Sequence, residues 1–224
     1  KNLLLLGCIA TMIACTPTKQ STIDTTLQTK VDSILQNKMS EIGAISGQAI
    51  VMEVRTGEIK AMVGNGISQE SGLIRTASLL AALETSKVKL SDTIDVGEGV
   101  YMVHNRELLD HNWHRGGYGK ITTLQGLMVN SHIANYKNIE RAFTEEQAYF
   151  DMLDKMNYGQ PDNIEGLDSL KAAYFVTPND SGWNNTSLAW FCIGYNQQIS
   201  PIQMLTFYNA IANEGKMVKP TLYK

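Results

Sequence analysis

Apolar residues recur at helical spacing at Ile23, Leu27, Val31, Ile34, Leu35 and Met39, so residues 22–41 read as an amphipathic helix with one face to lay on a sheet. The pattern then changes to two β-rich runs, residues 47–54 and 59–63, around Arg55-Thr56-Gly57-Glu58, which predicts a hairpin. Residues 73–85 are rich in Leu and Ala without Gly or Pro and predict a buried helix. Further helices are expected over residues 123–141 and 144–156, the second opened by a capping box of Thr144 and Gln147. Near the end, Ser200 is a candidate N-cap, Pro201 sits at the first helical position, and Gly215 follows Ile202, Leu205, Tyr208 and Ile211 as a stop. Residues 217–223 read as extended, and the Gly, Pro, Asn and Asp residues between Asn157 and Asn185 predict a long surface excursion. An early hairpin, a mostly helical body and late strands fit an α+β sheet with helices on its faces. That pattern alone does not choose a fold.

With 224 residues, 43% of them hydrophobic and 18% charged, the chain can bury one large core or two small ones. A net charge of -3 and a pI near 5.8, with no block of Lys and Arg, exclude the electrostatic footprint of a nucleic-acid binder. Lys1 followed by apolar residues 3–6 and 9–14, then Cys15 and a polar stretch, has the layout of a signal peptide. The apolar segment is shorter than the roughly 20 residues needed to span a bilayer, which favours a cleaved signal over an anchor. Met12-Ile13-Ala14-Cys15 resembles a bacterial lipobox, making Cys15 the candidate lipidation site and membrane attachment; Cys8 is a second candidate, and an ordinary signal with an incidental cysteine is the alternative. The expected partition is a signal at residues 1–15, a linker at 16–21 and one domain at 22–224. Cys192 would then be the remaining cysteine of the mature chain, in the apolar triplet Trp190-Phe191-Cys192, without a partner for an internal disulfide.

Several ordered segments together carry a resemblance. Residues 22–28 (TIDTTLQ) resemble the opening of the transpeptidase domain of class B penicillin-binding proteins, and residues 47–62 its first hairpin. Leu79-Leu-Ala-Ala-Leu-Glu84 is similar to the tail of its nucleophile helix, and residues 194–204 and 209–220 to a late helix and the strand after it. Residues 110–119 (DHNWHRGGYG) resemble a stretch of Bacteroidetes-type members. The resemblance implies the penicillin-binding/β-lactamase-like fold of the serine D,D-peptidases: an antiparallel sheet with flanking helices and a helical subdomain. Its C-terminal strands, with the K-T-G motif, are expected to be missing because the chain reaches Lys224 first.

The family's chemistry places a serine and a lysine of an S-x-x-K motif one helical turn apart, so that the amine takes the serine proton once burial and neighbouring charge lower its pKa. An S-x-N motif adds a hydroxyl and a substrate-holding amide, and K-T-G helps form the oxyanion hole. Counting back from Leu79-Leu-Ala-Ala-Leu-Glu84 puts Gly72 at the nucleophile position and Arg75 at the lysine position. Glycine has nothing to attack with, and a guanidinium stays protonated. Asn130 and His132 fall where S-x-N belongs. Relocated candidates are Ser71, Ser131 beside His132, and Ser86 with Lys89 in the one literal S-x-x-K. Moving a nucleophile by one helical residue swings it about 100° around the axis, which disfavours Ser71. Asp110, His111 and His114 have a spacing that metal sites sometimes use, weighed against a polar loop capping a cleft; neither a metal nor a cofactor is called for. Tyr118, with Trp113 and Tyr101, is a candidate lining for a stem-peptide groove, Asn130 and His132 being the other candidate substrate contacts.

The resulting expectation is an exported, lipid-anchored domain in cell-wall synthesis that has lost acylation and binds a peptidoglycan stem peptide or a partner protein. Two alternatives stay open: an active D,D-transpeptidase or carboxypeptidase with a relocated serine or with residues supplied downstream, and a truncated product without function.

Overall fold

A computed structural model describes residues 19–64 and 72–224. Helix α1 (Thr25–Ile42) is capped by Asp24, whose carboxylate accepts from Leu27 N, and stops at Gly43 in the left-handed region. Its half-buried stripe of Leu27, Val31, Leu35 and Met39 lies on a hairpin of β1 (Gln48–Met52) and β2 (Ile59–Gly64), as the periodicity predicts, while Ile34 faces solvent. The approach is close: Gly64 has φ 81°, and a Cβ there would stand 2.1 Å from the Gly47 carbonyl oxygen and 2.8 Å from Leu35 Cδ2. Gln28 reaches from α1 to the outer edge of β2, its amide donating to Met62 O and accepting from Met62 N, both at 2.8 Å. One side chain thus pairs an edge that would otherwise be open. At the turn of the hairpin, residues 221–223 close against residues 21–22, with Ile59 N donating to Thr221 O and Thr22 N to Leu222 O.

The body begins with α2 (Ile74–Glu84), whose Ile74, Ala77, Ala81 and Ala82 are wholly buried. Small alanines let it pack closely on the helices that follow. Between residues 93 and 122 lie four strands that the sequence pattern did not reveal: β3 (Thr93–Gly97), β4 (Val100–Val103), β5 (Arg106–Leu109) and β6 (Gly119–Thr122). They pair as two antiparallel ribbons, β3 with β6 and β4 with β5. Each is only four or five residues long, too short for alternation to register.

The helix expected over residues 123–141 is two helices, α3 (Thr123–Met128) and α4 (His132–Ala142). Asn130 takes φ 58° and Ser131 caps α4, so an Asn-Ser pair overrides the helical period. The next helix, α5 (Glu146–Lys155), forms without the expected Thr144–Gln147 box; Gln147 instead donates to Asp151 and accepts from Asn179. The excursion after residue 157 is largely irregular yet pinned inward by buried Tyr158 and Ile164, and it includes β7 (Tyr174–Phe175), which pairs with β8 (Gln197–Gln198). Helix α6 (Ser187–Phe191) lies between these strands in the chain, and α7 (Pro201–Ala212) opens with the expected Ser200 cap, completed by Gln203 into a capping box. The main core gathers α2, α4, α5 and α6 with the inward faces of the two middle ribbons; a smaller cluster of Ile59, Ile164 and Ile202 sits under the hairpin.

Candidate active site

The start of α2 is fixed from α7. The Tyr208 hydroxyl donates to Leu73 O at 2.9 Å and meets the Thr76 hydroxyl at 2.8 Å. One turn in, the Arg75 side chain folds back over Gly72: a Cβ on that glycine would lie 2.6 Å from Nη2 and 3.1 Å from Cζ. Its Nη1 points at the Ile193 carbonyl from 3.5 Å, at the limit of a hydrogen bond. Among the described residues no carboxylate pairs with it. Burial pulls the guanidinium pKa down, but arginine remains a cation in proteins.

The second wall is the junction of α3 and α4. Ser131, 1% exposed, accepts from Ala134 N at 3.0 Å and donates to Asp110 Oδ2 at 2.7 Å. Asp110, wholly buried at the end of β5, also takes Ile133 N at 3.1 Å on Oδ1. Two acceptors thus hold the free N–H groups of the first turn of α4, where the helix dipole favours negative charge. His132 Nδ1 lies 2.9 Å from Leu109 O; a carbonyl only accepts, so Nδ1 carries the proton and Nε2 holds the lone pair. The imidazole pKa falls below its ordinary value, chiefly through burial and then through the charge of Arg75, against the opposite pulls of Leu109 O and Asp110. Arg75 and Ser131 line one narrow crevice of about 10 Å³ with Leu127 and Asn135, room for roughly one water. Asn135 in turn donates to Cys192 O at 2.7 Å.

Residues 47–224 match the family model described as penicillin binding protein transpeptidase domain. The chain belongs to this family. It is 23% identical over 236 residues to penicillin-binding protein PbpB of Mycolicibacterium smegmatis, covering 92% of this chain and 34% of that protein. It is 21% identical over 224 residues to the probable peptidoglycan D,D-transpeptidase PbpC of Pseudomonas aeruginosa, covering 90% and 38%. The solved transpeptidase domain of Burkholderia pseudomallei penicillin-binding protein 3 superposes with a TM-score of 0.79 at 20% identity, over 91% of this chain and 61% of that one. The chain therefore has the α+β penicillin-binding fold and spans little more than a third of the length of these curated relatives.

In this transpeptidase-family domain the remaining candidates scatter. Ser86 and Lys89 are exposed beyond the far end of α2, Ser86 with φ 59°, and Lys89 N is bound by Asp92. Asn130 is exposed in the α3–α4 turn. Tyr118 is hydrogen-bonded to His111 Nε2 at 3.0 Å, and their rings lie 5.7 Å apart, so it packs on its own loop. No group of three or more His, Cys, Asp or Glu among the described residues could hold a metal ion, and Asp110 is engaged with α4. Cys192 is fully buried, and burial pushes its thiol up to about 12. Ser71 and Cys15, with the proposed signal and half of the linker, lie outside the described residues. The Asp110–Ser131 clamp and the Asn135 contact to Cys192 O were missed from sequence. An Asn-Ser pair inside a helical period was the available signal for the cap; nothing in the sequence pointed to its carboxylate partner.

Proposed function

We propose that this domain serves peptidoglycan synthesis on the outer side of the cytoplasmic membrane, binding a wall stem peptide or a wall-synthesis protein without acylating it. The observation that carries the reading is the pair Gly72 and Arg75, standing where the family's serine and lysine are expected and fitted to each other, the guanidinium occupying the space of a missing side chain. A nucleophile needs a base one turn away, and a protonated guanidinium supplies none. Relocated serines fare no better. The Ser131 hydroxyl is committed to Asp110 and Ala134 N, and Ser86 lies 14 residues from Gly72, roughly 20 Å along a helix at 1.5 Å per residue.

Export and a lipid anchor at Cys15 belong to the same proposal, resting on the N-terminal apolar pattern. Among the described residues no helix is long and apolar enough to cross a membrane. The test is incubation with a fluorescent penicillin and, separately, with a soluble stem pentapeptide. The expected result is neither a labelled band nor released D-alanine; a band lost on mutating Ser71, Ser86 or Ser131 would replace the proposal with an active enzyme.

A further inference from the structure

Helix α3 has its amphipathicity inverted. A surface helix normally turns its apolar stripe to the core and its polar residues to water. Here Thr123 and Gly126 are the buried positions, and a Cβ on Gly126 would stand 2.6 Å from the Ala134 Cβ, so the helix presses a small face closely against α4. The outward face is left with Leu124, Leu127 and Met128, at i, i+3 and i+4 and 44%, 37% and 74% exposed. Leu90, 44% exposed, joins them, its carbonyl accepting from Leu124 N at 3.1 Å. The Thr122–Gln125 capping box and the bond from Thr123 N to Asp92 O hold the helix in this phase.

We propose that this face of α3, with Leu90, rests on an anionic lipid surface. The inference builds on the export and lipid anchoring proposed above, which keep the domain beside a membrane, and names the face that meets it. Charge favours lipid. The two segments that form the patch, residues 87–92 and 120–128, carry Lys87, Lys89 and Lys120 and a single acid, Asp92. That acid is occupied, pairing with Arg141 at 3.0 Å and accepting from Lys89 N at 2.9 Å. The three lysines are exposed, and among the described residues none of them forms an ion pair. An uncancelled positive rim thus surrounds an exposed aliphatic stripe, on a chain whose net charge is -3. Such a surface settles at a headgroup boundary, leucine and methionine entering the acyl region while ammonium groups meet lipid phosphates. A protein partner is less well matched: neither segment carries an aromatic residue, the anchor that protein interfaces favour.

The test is methyl NMR of the full chain with bicelles that carry a trace of spin-labelled lipid, either pure phosphatidylcholine or with about one-quarter phosphatidylglycerol. Ile34 and Ile45, 61% and 98% exposed on and just after α1, serve as internal controls within the same molecule. In the anionic bicelle the methyls of Leu90, Leu124, Leu127 and Met128 should broaden at least about threefold more than those of Ile34 and Ile45, and in the neutral one they should not. The doubly substituted Lys87→Gln, Lys89→Gln chain, altered only at exposed positions, should lose the anionic effect, as should the unaltered chain in high salt. Broadening that is equal on α1 and α3, equal on the two lipids, or unchanged by the lysine substitutions overturns the proposal, and so does its absence from all four methyls. The contrast is read within one unaltered protein, so a folding defect in a variant cannot produce it. No β-lactam enters the measurement: a chain that stays unlabelled by penicillin and untouched by lipid refutes this surface alone, and a labelled chain whose α3 meets lipid refutes only the non-acylating reading.

Discussion

Replacing Asp110 by alanine should destabilise the domain far more than its loop position suggests. The carboxylate is wholly buried and accepts two hydrogen bonds, from Ser131 Oγ at 2.7 Å and Ile133 N at 3.1 Å. Hydrogen bonds to a charged group contribute about 1.5–3 kcal/mol each, and removal also strands a buried hydroxyl and a buried amide, so a loss of about 3–5 kcal/mol is expected. That is a large fraction of the roughly 5–15 kcal/mol that holds a domain together. Asp110→Asn keeps one carbonyl oxygen for Ile133 N, and its new amide can donate to Ser131, whose hydroxyl has a second lone pair; about 1–2 kcal/mol should be lost. Urea denaturation followed by circular dichroism reads both. With a slope of about 2 kcal/mol per molar, the alanine variant's midpoint should fall by roughly 1.5–2.5 M. A shift of less than about 0.5 M for Asp110→Ala would mean that the clamp on α4 is not what this residue does.

Two further outcomes follow from the same corner of the fold. Asn130 holds φ 58°, which a β-carbon without a polar end tolerates poorly, so Asn130→Ala should cost about 1 kcal/mol while Asn130→Gly costs less; equal midpoints for the two variants would contradict this. The depressed pKa of His132 means that the unfolded chain binds its proton first, so stability from this group is present above the ordinary histidine pKa of about 6.5 and falls as pH drops below it. The groups that set it are Arg75 and His111, which oppose protonation, and Leu109 O and Asp110, which favour it. Replacing His132 by Gln should flatten stability between pH 7 and the lower folded-state pKa, and an unchanged slope would refute the assignment.

The sequence revealed this molecule unevenly, for physical reasons. Helices α1, α2 and α7 were legible because the apolar face, the cap or the run of alanines each spoke for a single element. The middle ribbons were not, because their strands are short and their pairing, β3 with β6 around an inserted β4–β5 hairpin, is non-local. The α3–α4 break lay in plain view as Asn130-Ser131 but was outvoted by the apolar period around it. For the site, residue types alone showed that Gly72 and Arg75 lack the chemistry of a nucleophile and base. Only the folded structure shows that the guanidinium lies over the glycine, that Asp110 clamps α4, and that Tyr118 turns to His111 and packs on its own loop.

The central claim, that no acyl-enzyme forms, is tested most directly by intact-mass spectrometry of the full chain after prolonged exposure to excess benzylpenicillin. The account predicts a spectrum identical to that of the untreated protein. A population heavier by the mass of one penicillin, mapped by peptide sequencing to any serine, would contradict it.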